Sequence, residues 1–169
     1  MNGARVIVGL VTALGRAAAA QTPAADTVRE PGRTEYQAAD SIVLERGPCF
    51  GTCPVYRVSI SRSGDVHFVL LSRPDSGRIR QRHIDPQRFS DFMGAAATGR
   101  FFSLPDVIAR DPKYCPTALT DLPSATLSIF LPKRQKTISD YYGCVWAPQI
   151  LRSLEETVDE MAGTRPWVR

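Results

Sequence analysis

Cys49-Phe50-Gly51-Thr52-Cys53-Pro54-Val55-Tyr56 divides the first apolar strand-like run of the chain, Ser41 to Glu45, from its longest alternating run, Val55 to Ser61. Two thiols stand four positions apart, with a glycine between them and a proline outside each. Drawn out fully, that spacing would hold the Cα atoms about 13 Å apart, whereas a disulfide requires roughly 4.4 to 6.8 Å. A bridge between them makes the chain turn back on itself, and Gly51 supplies the free φ that such a turn needs. Pro48 and Pro54 drive Gly47 and Cys53 towards extended backbone. The stretch therefore reads as a tight loop between strands and not as part of a helix.

Working outward, Tyr56, Val58 and Ile60 alternate with Arg57, Ser59 and Ser61, giving one apolar face and one wet face. Arg62-Ser63-Gly64 fits a three-residue hairpin loop with glycine at the left-handed position. In that register Tyr56, Val58 and Ile60 share a side with Leu70, Phe68 and Val66. Pro74-Asp75-Ser76-Gly77 marks another turn. It leads into Arg78 to Ile84, a run poor in apolar residues that suits a sheet edge guarded by charge. Ser41 to Arg46 is the strand before the cysteine loop.

Asp85 caps a helix and Pro86 fits its first position. Phe89, Phe92, Met93 and Ala96 form its apolar stripe, and Gly99 closes it. Arg100 to Pro123 is irregular and holds four prolines and Cys115. Ser124 to Leu131 and Lys136 to Tyr142 form a second hairpin around Pro132 to Gln135. Its inward register stays open, because Phe130 and Ile138 fall off the parity of Leu127 and Ile129. A last helix begins near Pro148, with Ile150, Leu151, Leu154, Val158 and Met161 inward and Glu155, Glu156, Asp159 and Glu160 outside. Gly163 ends it, and Trp167 in the short tail is large enough to dock on the body. The expected fold is α+β: a mostly antiparallel sheet of about six strands, in the order β-β-β-β-α-β-β-α, with two amphipathic helices packed on one face.

The first twenty residues have the pattern of an export signal: Arg5, an apolar core from Val6 to Leu14, and Ala18-Ala19-Ala20 before Gln21. The apolar run is too short to span a bilayer. Residues 1–20 are thus expected to be a cleaved signal peptide, 21–40 a flexible segment without apolar period, and 41–169 a single domain. Removing Arg5 and Arg16 leaves 19 basic residues against 17 acidic ones, so the formal charge falls from +4 to +2. That balance gives no nucleic-acid signature. A periplasmic or secreted location follows, with no stable membrane insertion after cleavage.

Four cysteines in an exported chain imply two disulfides. Of three connectivities, Cys49–Cys53 with Cys115–Cys144 is favoured, since the first two are each other's nearest thiols. The second bridge would tether the irregular loop to the end of the last strand. On the chain-entropy treatment the two rings contribute roughly 2 and 3.6 kcal/mol. The competing reading is a redox pair, but such pairs use two intervening residues at a helix N-terminus, and here there are three between strands.

His67 and His83 are the only histidines, and hairpin counting sets them nearly opposite each other. Zinc requires three or four protein ligands, and no third is evident, so no metal site is assigned. Asp75, Asp111, Asp121 and Asp140 show no spacing of an acid/base pair. There is no nucleophile elbow and no phosphate-binding glycine loop. Tyr141, Tyr142 and Trp146 are candidates for an aromatic patch or for packing across the sheet edge. No catalytic residue and no cofactor is assigned.

The cysteine motif, preceded by Ile42-Val43-Leu44-Glu45-Arg46 and followed by the Gly64 hairpin, resembles an uncharacterised bacterial family, domain of unknown function 6438. That family is typified by Cys-Phe-Gly-x-Cys-Pro-x-Tyr, and the similarity runs from about Ser41 to Ala162. The resemblance carries no activity. Other members often lack counterparts of Cys115 and Cys144, which implies that Cys49 and Cys53 pair with each other. The expected role is an exported, disulfide-stapled, non-catalytic binding or structural module of the cell envelope, with an envelope protein or a small ligand as partner. The alternative is a thiol-disulfide protein using Cys49 and Cys53.

Overall fold

A computed structural model describes residues 29–168 apart from position 73. The expected leader, 1–20, and the start of the 21–40 segment lie outside the described residues. Helix α1 (Arg33–Gln37) precedes strands β1 (Ser41–Arg46), β2 (Tyr56–Ser61), β3 (Asp65–Leu70) and β4 (Ile79–His83). Helix α2 (Pro86–Thr98) follows, then β5 (Ser124–Leu131), β6 (Arg134–Tyr141) and α3 (Gln149–Ala162). The six strands form one antiparallel sheet in the order β4-β3-β2-β1-β5-β6. With two longer helices beside the sheet, the fold is α+β. No described helix is long and apolar enough to cross a membrane.

The Gly64 hairpin folds as its pattern requires. Gly64 sits at φ +91, and Val58 faces Phe68 while Ile60 faces Val66. The alternation carries across the sheet in rungs, since directly opposed residues of antiparallel strands share a face. One rung is Ile138, Leu127, Leu44, Val58 and Phe68, and the next holds Ile129, Ile42, Ile60 and Val66. This resolves the second hairpin: Ile138 opposes Leu127 and is buried, whereas Phe130 lies on the other face. The turn is also tighter than expected, Pro132-Lys133 alone, with Leu131 opposing Arg134.

Helices α2 and α3 cover the apolar face through Phe89, Phe92, Met93 and Ala96 and through Leu151, Leu154, Val158 and Met161. Trp167 packs on Phe68 with ring centroids 5.4 Å apart. Gly99 ends α2 for a reason other than left-handed backbone. Its φ is −76, but a Cβ there would lie 2.4 Å from Ile150 Cγ1, so the glycine lets the start of α3 approach. The left-handed residue is the next one, Arg100, at φ 53.

Two stretches expected to be irregular are built into the body. Within the 21–40 segment, Arg33–Gln37 is helical and Tyr36 and Ala39 are buried, so the described half departs from a flexible tail. Tyr36 stacks edge-on against Phe102 at 5.6 Å and donates to Glu30 at 2.6 Å. The segment lacks apolar period because it inserts one aromatic ring and no stripe. From Arg100 to Pro123, Phe101, Phe102 and Ile108 enter the core. Val107 bridges Ser139, and Asp106 pairs with Lys136, so this stretch covers the outer edge of β6.

Val58 and Leu154 lie on opposite sides of the layer between sheet and helices, 0 % and 2 % exposed. Val58→Asp or Leu154→Asp would bury an unpaired charge and is expected to abolish the cooperative thermal transition seen by circular dichroism.

Candidate functional site

Antiparallel order brings six strand termini to one end of the sheet: the ends of β1, β3 and β6 and the starts of β2, β4 and β5. Both disulfides sit there. Cys49 pairs with Cys53, Cα atoms 5.6 Å apart, and Cys115 with Cys144, 4.8 Å apart. Gly51, at φ +147, makes the turn that closes the small ring. The ring is tied sideways by the Phe50 amide donating to Asp121 O at 3.3 Å. The larger bridge is reinforced where the Leu119 amide donates to Gly143 O at 2.9 Å and the Tyr141 hydroxyl to Leu119 O at 2.8 Å.

Behind these loops a charged network lies under α3. Arg46 continues the inward parity of Ile42 and Leu44, so its guanidinium points between sheet and helix. Two of its N–H groups donate to Asp159 Oδ2 at 2.8 and 3.0 Å, and another reaches Tyr142. The hydroxyls of Tyr56 and Tyr142 donate to Asp159 Oδ1 at 2.7 Å and to Glu155 Oε2 at 2.6 Å. Further along, Arg152 donates to Asp140 at 3.0 Å and to Cys144 O at 2.7 Å. Both guanidiniums lie over the Tyr142 ring, 5.6 and 4.9 Å from its centroid. Positions 152, 155 and 159 thus form a polar row on α3 that matches the polar rung Asp140, Ala125, Arg46, Tyr56 of the sheet.

The network is short of positive charge. Three carboxylates meet two guanidiniums, and Asp140 Oδ1 and Glu155 Oε1 are buried without a hydrogen-bond partner among the described residues. Burial pushes the Glu155 carboxyl up to about 7; nearby Asp140 adds to the rise, while the Tyr142 hydroxyl and Arg46 hold it down. Burial likewise raises Asp140, against the pull of Arg152. For Arg46, burial alone would lower the value, but Asp159 and Tyr142 outweigh it and keep the cation firmly charged. Burial thus favours the neutral form of Glu155, and a proton on it would make the buried charges balance.

Sequence reasoning placed Glu155 and Asp159 on the outer face of α3, and the structure corrects this. Glu155 is fully buried and Asp159 half-buried. The signal was present: Glu155 falls within the stripe of Leu151, Leu154 and Val158, and Arg46 has the parity of Leu44. Missing was the knowledge that β1 and α3 face each other. Tyr142 joins the network while Tyr141 packs under Leu119, and Trp146 is exposed at 68 %, so the three aromatics do not form one patch. His67 opposes Gln81 and His83 opposes Asp65, whose carboxylate lies 3.0 Å from His83 Nδ1. The histidines are thus offset by one rung. Among the described residues no group of three or more His, Cys, Asp and Glu side chains is arranged to hold a metal ion.

Three contiguous hollows open around Cys53, Pro54 and Tyr56. The smallest, about 260 Å³, reaches Arg46 and Tyr142 between the small ring and Pro123. The largest, about 740 Å³, runs along Glu156, Asp159 and Glu160 to the tail. The described chain exposes seven large hydrophobic residues, Phe50, Leu71, Ile79, Leu119, Leu122, Val145 and Trp146, all in loops or first strand positions at this end of the sheet. Phe50, at the tip of the small ring, is 87 % exposed. The arrangement is one of rigid loops presenting apolar tips and shallow hollows, with its titratable groups held beneath.

Three measurements test this reading. A raised carboxyl stabilises the fold below its unfolded value and loses that contribution as pH rises through its folded value. Stability is thus expected to fall between pH ~4.5 and ~7 by roughly 3 kcal/mol, at about 1.36 kcal/mol per pKa unit. Glu155→Gln should flatten that slope in urea titrations run from pH 5 to 8. Among the bridges, Cys49→Ser/Cys53→Ser should still fold with a stability loss of about 2 kcal/mol, and Cys115→Ser/Cys144→Ser should lose about 3.6 kcal/mol. Non-reducing peptide mapping of the wild type should recover both pairs.

Comparison with curated proteins returns no match. Residues 40–162 match the family model described as Domain of unknown function (DUF6438). That span contains the cysteine loop, both bridges, the whole sheet and the network from Arg46 to Asp159. The chain belongs to that family.

Proposed function

We propose that this chain is an exported binding module of the cell envelope, stapled by two disulfides and non-catalytic, and that it engages its partner through the disulfide-bearing end of the sheet. One observation carries the reading: every large hydrophobic side chain exposed among the described residues lies at that end. Isolated exposed apolar residues need no explanation, but seven gathered at one end do. The bridges fix the loops that carry Phe50, Leu119, Leu122, Val145 and Trp146, which lowers the entropy lost on binding. Export rests on the Arg5 to Ala20 pattern and on the two bridges, which suit an oxidising compartment. The partner is an envelope protein or a small ligand of apolar surface.

The competing reading, a thiol-disulfide protein, draws on the exposed position of the Cys49–Cys53 ring at a loop tip. It requires a reduction potential well above that of structural bridges, and a glutathione titration of the mature protein separates the two.

A photo-crosslinking residue at Phe50 or Trp146, expressed in the native host, should give a discrete adduct in the envelope fraction. The same residue at Arg88, exposed at the far end of the molecule, should give none. Intact mass of the uncrosslinked protein should start at Gln21. A chain that keeps Met1 in the cytosol, or equal adducts from all three positions, would overturn the reading.

A further inference from the structure

Beyond the loop end, the sheet has a second surface without a partner. The outer edge of β6 is covered by residues 106–107, but β4 lies open, all five of its residues exposed. The Leu70 amide donates to Arg78 O and the Ile84 amide to Gly64 O, which fixes the parity of the ladder. Residues 78, 80, 82 and 84 therefore bond inward to β3, while the amides and carbonyls of Ile79, Gln81 and His83 point away from the sheet. No backbone group of the described chain bonds to these six. One is satisfied by a stand-in: the Arg80 guanidinium donates to Ile79 O at 2.9 Å.

The side chains along this edge are strongly one-signed. Arg80 and Arg82 stand on the helix side, opposite Phe68 and Val66, two residues apart and so roughly 7 Å apart. Neither forms an ion pair among the described residues, and Arg82 makes only a long contact to Ala162 O at 3.4 Å. Arg78, just before the strand, is paired with Asp75. On the open face Ile79 presents an apolar side chain, 51 % exposed. A second copy of β4 is a poor occupant. Antiparallel pairing about Gln81 would set Arg80 against the partner's Arg82 on the same side, gathering four guanidiniums.

We propose that β4 is a docking edge for an acidic extended segment of another protein, which adds to the sheet as a seventh strand. Directly opposed residues share a face, so carboxylates two positions apart on the incoming strand meet Arg80 and Arg82. The residue beyond them, opposite Ile79, would be apolar. The recognised pattern is thus Glu-x-Glu-apolar in antiparallel register. Its backbone supplies the missing donors and acceptors, and Arg80 is freed from Ile79 O to bind a carboxylate. Charge on the edge then serves two ends, repelling a second copy and attracting an acidic strand.

The probe is the peptide fluorescein-Thr-Glu-Thr-Glu-Val-Thr-amide, labelled at its N-terminus, with the Lys-for-Glu peptide as control, read by fluorescence anisotropy on the mature chain. Saturable, salt-sensitive binding of the acidic peptide alone is expected, with new hydrogen-exchange protection at the amides of Gln81 and His83. Arg80→Glu/Arg82→Glu should weaken it by roughly tenfold or more. Gln81→Pro removes an amide that the fold does not use, so it should keep the melting temperature and lose the peptide. Absence of saturable binding, equal binding of the lysine peptide, or full binding by a folded Gln81→Pro variant would each overturn the proposal. So would a β4-paired dimer in light scattering, which would make the edge a self-interface. The loop-end reading survives or fails separately, since these variants leave Phe50 and Trp146 untouched.

Discussion

A guanidinium placed on the inward face of a sheet must be neutralised where it lies, because taking an unpaired charge out of water is far more unfavourable than burying an apolar side chain. Arg46 imposes that condition here. Its answer is drawn from three other elements: Asp159 and Glu155 from α3, Tyr142 from the end of β6, and Tyr56, which shares Asp159, from β2. These partners come from positions up to 113 residues away. The fold therefore cannot satisfy Arg46 piecemeal. The helix has to cross the sheet along one line, with 152, 155 and 159 over the polar rung and the apolar stripe over the rungs below.

That constraint divides the molecule into two ends of different character. Away from Arg46 the core is hydrocarbon and aromatic, closed at the far end by Tyr36 and Phe102. Around Arg46 the interior is polar, with Glu155, Asp159 and Asp140 facing Arg46 and Arg152. The same end must also accommodate the long irregular connection before β5, and both bridges are found there. Loops that lie at the surface bury too little to be held by packing, so covalent links hold them instead. A rigid, loop-built surface with apolar tips is the consequence, and the shallow hollows between Cys53 and Tyr56 follow from the same packing.

Much of this was legible in the chain. Val58, Phe68 and their neighbours alternate around a loop whose glycine sets the register, so pattern and turn chemistry agree. Phe89, Phe92 and Met93 and the stripe of α3 carry helical periodicity plainly. Other parts were legible only in retrospect. Arg46 follows Leu44 at strand spacing and Glu155 lies inside an apolar stripe, but a charged residue at an inward position reads as a pattern error until its partner is known. Tyr36 gave no signal, since a single inserted ring has no period.

What the sequence determined by itself is local: where the strands and helices lie, which face of each is apolar, and that Cys49 and Cys53 are close enough to close a ring. These depend on spacings of two to four residues, which the chain carries within itself. Tertiary structure alone decided that β5 pairs with β1 and that six strand ends meet at one end of the sheet. It also decided that Arg46, Tyr142, Glu155 and Asp159 share one buried site. Such pairings join residues roughly a hundred positions apart. Nothing in the local pattern distinguishes one well-matched neighbour from another, and only the requirement to bury every apolar face and neutralise every inward charge together selects among them.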